Sequence, residues 1–146
     1  PVGTILNDVW WEAHDGRTRF PRHLEPAARD PKIHGNPGIT FGRQIGAYPI
    51  LVGMNYLAPL ESYSQIMVTG HGASSITGIE VGLPWQNVSE KQLAAIPGIS
   101  AKGAWNLIGT RAKARSKKRD FENLEEWFNA AGIQIPELVD TKRILN

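Results

Sequence analysis

The chain has 146 residues, with 16 Lys or Arg against 14 Asp or Glu, so its formal net charge is only +2. It contains no cysteine, which excludes disulfides and thiolate-held metal sites and leaves no usual ligands for an iron–sulfur cluster. No apolar run approaches the roughly 18 residues of a membrane helix, and no signal peptide is visible. The chain begins at Pro1 without an initiator methionine. It is therefore either a processed protein or a fragment of a longer one, and we favour the fragment. The expected location is cytoplasmic.

Short runs rich in β-forming residues, separated by Gly-containing turns, occupy the first half of the chain. Turns are predicted at Asp15-Gly16, Gly42–Gly46 and Gly70–Gly72. Five short strands with such turns favour a small closed antiparallel barrel. The predicted strands are Thr4–Trp11, Ile39–Phe41, Tyr48–Val52, Tyr63–Thr69 and Ser75–Val81.

A long proline-rich loop is predicted between the first two strands, from Phe20 to Gly38. Its prolines interrupt every helical or strand period, and a loop of this length in a compact domain is usually functional or disordered. It is mildly basic, so it could lie over nucleic acid; a variable surface insertion is an equal alternative. Its charged residues are Arg22, Arg29, Lys32, His23 and His34 against Glu25 and Asp30, with Arg19 just before it.

The order of the predicted strands resembles a TRAM-type barrel, an OB-like RNA-binding module. The resemblance covers about residues 3–82 and is interrupted by the proline-rich loop. It implies a small barrel that binds RNA. The matching segments are Gly3-Thr4-Ile5, Thr40–Gly46, Tyr48–Val52, Ser64–Val68 and Ile76–Gly78.

Two short helices joined by a tight Pro97-Gly98 turn are predicted after the barrel. Ser89 and Gln92 have the spacing of a capping box, and Val88 and Leu93 that of a hydrophobic staple. Pro97 ends the first helix, because the residue before a proline is disfavoured in the α region. The second helix is predicted to begin near Ala101 and to bury Ala104, Leu107 and Ile108.

This stretch resembles the helix-hairpin-helix motif of nucleic-acid-binding proteins, through Leu93, Ile96–Ser100 and Ala104. The family offers backbone N–H groups to a phosphate from the hairpin and the second helix's N-terminus, and the helix dipole also favours an anion there. The family usually has glycine where this chain has Ser100, which restricts how closely a phosphate approaches. An ordinary pair of helices used only for packing is the alternative.

Basic residues are concentrated behind the hairpin, with no acid among them from Lys102 to Arg119. A basic cluster is the electrostatic mark of a polyanion partner. A solvated loop without a partner is the alternative. We therefore predict phosphate contacts at Gly98, Ile99, Ser100 and Lys102, and sequence-independent attraction at Arg111, Lys113, Arg115, Lys117, Lys118 and Arg119.

A further amphipathic helix is predicted over Phe121–Phe128, with Phe121, Leu124 and Phe128 on one face. A second, degenerate hairpin follows at Ala131-Gly132-Ile133, and a last short helix is predicted from Ile135-Pro136 to Ile144. Paired hairpins of this kind resemble the double helix-hairpin-helix unit of competence DNA receptors. Because the second hairpin has Gln134 and Ile135 where glycine is preferred, we expect it to be structural.

A resemblance that spans both halves is to the C-terminal region of archaeal radical-SAM proteins that end in a helix-hairpin-helix. It implies a 4Fe-4S cluster and S-adenosylmethionine in an upstream domain of a longer parent, with no cofactor in this chain. This chain would then handle the substrate. The matching segments are Gly3–Leu6, Thr40–Gly53, His71-Gly72, Ser75–Thr77 and Ile96–Ile99.

No catalytic or metal site is predicted. The spacings of His14, His23, His34 and His71 match no compact metal-binding pattern, and Asp8, Glu12 and Asp15 do not show the arrangement of an acid–base pair. Aromatic residues on the barrel are either core or a surface on which bases stack. The candidates are Trp10, Trp11, Tyr48 and Tyr56.

Together these features predict an α+β protein, with a small antiparallel OB/TRAM-like barrel at residues 1–84 and an all-α double helix-hairpin-helix at 85–146. The predicted function is non-catalytic binding of a nucleic-acid backbone, with RNA slightly preferred over DNA and no membrane partner. An upstream catalytic domain is a further expected partner. The alternative is a protein-interaction or scaffolding module that packs on a catalytic domain.

Overall fold

A computed structural model describes residues 2–15, 38–46, 50–72 and 75–146. Within these ranges five strands form a closed barrel in the order β1-β2-β3-β5-β4, which is consistent with an OB-like fold. Helices follow the barrel, so the predicted α+β class is confirmed. The strands are β1 (Ile5–Asp15), β2 (Ile39–Gln44), β3 (Leu51–Met54), β4 (Tyr63–His71) and β5 (Ser75–Glu80); the helices are α1 (Glu90–Ala94), α2 (Ala101–Ser116), α3 (Leu124–Ala130) and α4 (Thr141–Ile144).

Strand pairing corrects several details of the predicted barrel. Strands β3 and β5 run parallel, so the barrel is not wholly antiparallel. The turn predicted at Gly42–Gly46 is shorter, because Gly42, Arg43 and Gln44 pair with β1 and belong to β2. Gly70 and His71, predicted in a turn, belong to β4 because their pairing with Thr77 and Ile76 continues the β4–β5 ladder. Asp15, predicted in a turn, is the last residue of β1 and pairs with Ile39. Gly16, the strand residues Tyr48-Pro49 and nearly all of the proline-rich loop lie outside the described residues.

Strand β1 is the long element that pairs with both β2 and β4. Its register shifts once against each neighbour, and Asp8, beside one shift, has a φ of 55°. Such irregularities bend a strand, as barrel closure requires. Gly42 faces Trp11 across the β1–β2 pair, and a Cβ atom there would lie 2.1 Å from the Trp10 carbonyl oxygen. Only glycine lets the two strands approach this closely.

The predicted start of the helical part is confirmed. Ser89 caps α1 in a capping box with Gln92, and Val88 and Leu93 of the predicted staple are both buried. Helix α2 begins at Ala101 as predicted.

The two later helices are shorter than predicted, because side-chain caps start them late. Asn123 caps α3, so that helix begins at Leu124 rather than Phe121. Asp140 caps α4, so the chain from Ile135 to Val139 is not helical.

One hydrophobic core cluster includes residues of both the barrel and the helices. Residues 81–89, which we call the connector, join the barrel to the helices. The connector pairs with the end of the chain, since Leu83 and Leu145 form a parallel bridge. Trp85, in the same connector, lies against Trp127 of α3 with ring centroids 5.9 Å apart. No helix in the described ranges is long and apolar enough to cross a membrane.

Candidate nucleic-acid interface

A tight turn between α1 and α2 is built around Pro97 and Gly98. Gly98 has a φ of +96°, which an L side chain rarely adopts, and the Ile99 amide donates to the Ile96 carbonyl at 3.1 Å. A Cβ atom on Gly98 would lie 2.8 Å from Cβ of Pro136. Gly98 therefore satisfies both the turn conformation and a close contact with the second predicted hairpin.

Backbone amides at this turn are available to a ligand. Among the described residues, the N–H groups of Gly98, Ser100, Ala101 and Lys102 have no hydrogen-bond acceptor. Gly98, Ser100, Ala101 and Lys102 are also exposed. They lie at the N-terminus of the 16-residue helix α2, where the helix dipole adds a partial positive charge.

Ser100 is the N-cap of α2. Its hydroxyl oxygen accepts a 3.0 Å hydrogen bond from the Gly103 amide. Because a hydroxyl is both acceptor and donor, its hydrogen is still free to donate outward. Ser100 therefore occupies the Gly103 amide and offers one hydroxyl donor in its place.

The structure contradicts the predicted phosphate contact at Ile99. Its side chain is only 6% exposed and belongs to the core. Its amide is already bonded within the turn. Ile99 anchors the hairpin and has no free donor for an anion.

The faces of α2 separate the basic residues. Ala104, Leu107, Ile108 and Arg111 form the buried face. At 100° per residue, Lys102 and Lys113 lie on the opposite, exposed face. They are about 16 Å apart along the helix axis.

The structure also contradicts the predicted role of Arg111 in attracting nucleic acid, because its side chain is buried. It is 7% exposed, donates a 3.0 Å hydrogen bond to the Trp85 carbonyl and lies 5.4 Å from the ring centroid of Trp127. Burial, and to a lesser extent the charge of Arg115, lowers the pKa of Arg111 to about 10. Arg111 fastens the connector to the helices and is not available to a phosphate.

Arg115 also contacts the connector, by donating to the Gln86 carbonyl. It remains exposed, and carbonyl contact does not neutralise its charge. Arg115 can therefore contribute long-range attraction, although its geometry is fixed by the connector.

The last basic residues form the C-terminal cap of α2. The amides of Lys118 and Arg119 donate to the carbonyls of Arg115 and Ala114, the two bonds of a Schellman motif. Lys118 occupies the left-handed position with a φ of 55°, where glycine is usual. Lys117, Lys118 and Arg119 are exposed and also complement the negative end of the helix dipole.

The aromatic residues divide between core and surface. Trp11 is fully buried and Tyr56 is 2% exposed, so neither can stack a base; Tyr48 lies outside the described residues. Trp10 is half-buried on the barrel exterior and packs on Tyr63, which is 59% exposed, with centroids 4.7 Å apart. Tyr63, which sequence reasoning did not select, shares a surface with Trp10 because the two are paired across β1 and β4.

A polar network inside the barrel was also not predicted from the sequence. Ser64 donates to one carboxylate oxygen of Glu80 at 2.9 Å, and the Tyr56 hydroxyl donates to the other at 3.0 Å. Trp11 donates its indole N–H to Ser64. Burial, reinforced by the nearby charge of Glu80, raises the pKa of Tyr56 well above 10.0. All three donors are satisfied, which is typical of a structural network.

The histidines described do not assemble into a site. His14 contacts the Ala58 carbonyl at 2.6 Å, and His71 is exposed at the end of β4. His23 and His34 lie outside the described residues. Within the described ranges there is no group of three or more His, Cys, Asp or Glu able to hold a metal ion.

No protein-family model, curated protein or solved structure matches this chain.

Proposed function

We propose that this chain binds nucleic acid through the phosphate backbone, with the Pro97-Gly98 turn as the contact point and the exposed basic residues of α2 as a second attraction. The observation that carries the proposal is the group of exposed, unpaired amides at the N-terminus of α2. Such groups, together with the helix dipole, form a ready anion site.

Exposed cations extend this contact along α2. Within the described part of the chain, no ion pair involves Lys102, Lys113, Lys117, Lys118 or Arg119. Helix α2 has 16 residues and is therefore about 24 Å long. At about 3.4 Å of rise per base pair, this length corresponds to about seven base pairs along the axis of a duplex.

RNA is proposed as slightly preferred over DNA, because the barrel resembles a TRAM-type RNA-binding module. A barrel of OB-like strand order also serves as a platform for single strands of either kind. The Trp10–Tyr63 pair, in which Tyr63 is exposed, supports base stacking on that barrel. By its resemblance, the chain is further proposed to be the nucleic-acid-handling region of a larger radical-SAM-type protein; a three-cysteine motif encoded upstream of residue 1 tests this.

The proposal is tested by fluorescence anisotropy with a structured RNA and a duplex DNA over a series of salt concentrations. If three or more phosphates are neutralised, the logarithm of the affinity falls with the logarithm of salt with a slope of about −3 or steeper. Replacing Lys117, Lys118 and Arg119 by Glu is expected to abolish binding at moderate salt. Arg143→Glu, an exposed change outside the cluster, is the control. Affinity that is absent at low salt, or unchanged by salt, contradicts the proposal.

A protein-interaction module is the second candidate, and one groove favours it. The groove has a volume of about 620 Å³ and lies between α3 and the segment that follows it, with Phe128, Ile133 and Val139 among its lining residues. Glu125 and Lys142, which form an ion pair, also line it. In this case the triple charge reversal leaves binding of the partner unchanged.

A further inference from the structure

A second cleft lies beside the C-terminal half of α2, at a distance from the hairpin. Its volume is about 390 Å³, and its lining includes Lys113, Lys117, Arg119 and Phe121. We call it the α2–α3 cleft, because Glu126 of α3 also lines it. A cavity of this size is within the range that small ligands occupy.

Three cations face this cleft from one short stretch of chain. Lys113 and Lys117 are four residues apart, so they are neighbours on one side of the helix. Arg119 is carried to the same place by the Schellman turn, in which Lys118 takes the left-handed conformation. Neither lysine nor the arginine forms an ion pair among the described residues. The cleft therefore has unneutralised positive charge for an anionic group.

Two acids also line the cleft, but they do not cancel the cations. Glu126 lies at the start of α3, where its carboxylate accepts a hydrogen bond from the Glu122 amide at 3.2 Å. This carboxylate is therefore partly engaged by the backbone just before α3. Asp120 is exposed beside Arg119. The cleft is lined by three cations and two acids, and the carboxylate of Glu126 is already hydrogen-bonded. The remaining positive charge favours binding of a phosphate.

An aromatic ring completes the lining. Phe121 is partly buried and packs against the hydrophobic core, which fixes the position of its ring. It lines both this cleft and a small pocket whose lining includes Trp85 and Arg111. A fixed ring beside unpaired cations is the combination that single-strand-binding proteins use for base and phosphate.

We propose that the α2–α3 cleft binds one unpaired nucleotide, with its phosphate at Lys113, Lys117 and Arg119 and its base against Phe121. This inference rests on the proposed function, because the nucleotide would belong to a strand whose backbone is held at the hairpin. That strand would follow the exposed face of α2 past Lys102 and Lys113. The cleft would then select nucleic acids that have a single-stranded end or overhang next to a duplex.

The direct test is a titration of the ¹⁵N-labelled chain with AMP, followed by NMR. We expect the amide signals of residues 110–121 to shift. Phe121→Leu, which keeps an apolar side chain but removes the ring, is expected to weaken AMP binding about fivefold, whereas Phe121→Tyr is expected to retain it. Amide signals that do not move, or equal AMP binding by Phe121→Leu, overturn the inference. Inorganic phosphate that binds as tightly as AMP also overturns it, since the cleft would then recognise only an anion.

A second measurement separates this inference from the proposed function. We expect a duplex with a four-nucleotide overhang to bind about tenfold more tightly than the blunt duplex, and we expect Phe121→Leu to remove this difference. Lys102→Gln, at the hairpin end of α2, is expected to weaken both duplexes equally. Blunt duplex binding without any gain from the overhang contradicts the cleft alone. Loss of all duplex binding, with AMP still bound in the cleft, contradicts the hairpin contact alone.

Discussion

The Arg111 guanidinium donates a 3.0 Å hydrogen bond to the carbonyl oxygen of Trp85, 26 residues earlier in the chain. The same side chain lies over the ring of Trp127. Arg111 therefore joins the connector after the barrel to α2 and α3. Its role is structural, unlike that proposed for the exposed basic residues of α2.

Replacing this arginine tests its structural role. Arg111→Lys keeps the charge but not the planar fork of donors, so we expect the free energy of unfolding to fall by about 1 to 2 kcal/mol. Urea denaturation followed by circular dichroism measures the change. Lys113→Arg, an exposed and equally conservative change, is expected to alter stability by less than about 0.5 kcal/mol. Equal stability of the two variants would refute the assignment.

Gly98 and Gly109 offer a matched pair of glycine substitutions. Gly98→Ala places a Cβ atom 2.8 Å from Pro136 at a φ of +96°, so we expect a loss of about 2 kcal/mol or more in the free energy of unfolding and weaker nucleic-acid binding. Gly109 lies inside α2, and a Cβ atom there meets nothing within 4 Å. Gly109→Ala is expected to stabilise the protein by about 1 kcal/mol. Thermal denaturation compares the two variants, and a stable, fully binding Gly98→Ala protein would remove the hairpin from the proposed site.

Two substitutions at Lys118 distinguish the effect of backbone strain from the effect of charge. It has a φ of 55° at the position where glycine usually ends a helix. We expect Lys118→Gly to raise the free energy of unfolding by about 1 kcal/mol, while Lys118→Gln leaves it nearly unchanged. Both variants remove one positive charge, so both should weaken RNA binding to the same extent in anisotropy titrations. A gain in affinity for either variant would exclude Lys118 from the interface.

Tyr56 is expected to make stability depend on alkaline pH. Its pKa is raised well above 10.0 in the folded chain, first by burial and then by the charge of Glu80. Above about pH 10 the unfolded chain loses the phenolic proton while the folded chain retains it, so the free energy of unfolding falls as pH rises.

The measurement is urea denaturation at several pH values from about 9 to 11. Tyr56→Phe should flatten the alkaline decrease, because the titrating group is gone. At neutral pH this variant should be less stable by about 1 to 2 kcal/mol, since the Glu80 carboxylate and amide each lose a hydrogen bond to the hydroxyl. An identical pH slope in both proteins would show that Tyr56 is not responsible.

Local chemistry made much of the fold predictable. Ser89, Gln92 and Pro97 determine the start and end of α1 through caps and backbone sterics, which act within a few residues. The apolar spacing of Ala104, Leu107 and Ile108 correctly predicted the buried face of α2. Alternating β-forming runs indicated a barrel, although the parallel β3–β5 pair depends on contacts between distant segments.

The order of residues alone shows that basic residues are concentrated between Lys102 and Arg119, and it predicts a tight turn before α2. Which of these basic residues face solvent depends on packing. Arg111 is turned inward because its partners, Trp85 and Trp127, come from two other parts of the chain. The α2–α3 cleft likewise exists only because the Schellman turn at Lys118 brings Arg119 and Phe121 back beside Lys113. A linear pattern records charge and periodicity, whereas burial and direction depend on which distant segments pack together.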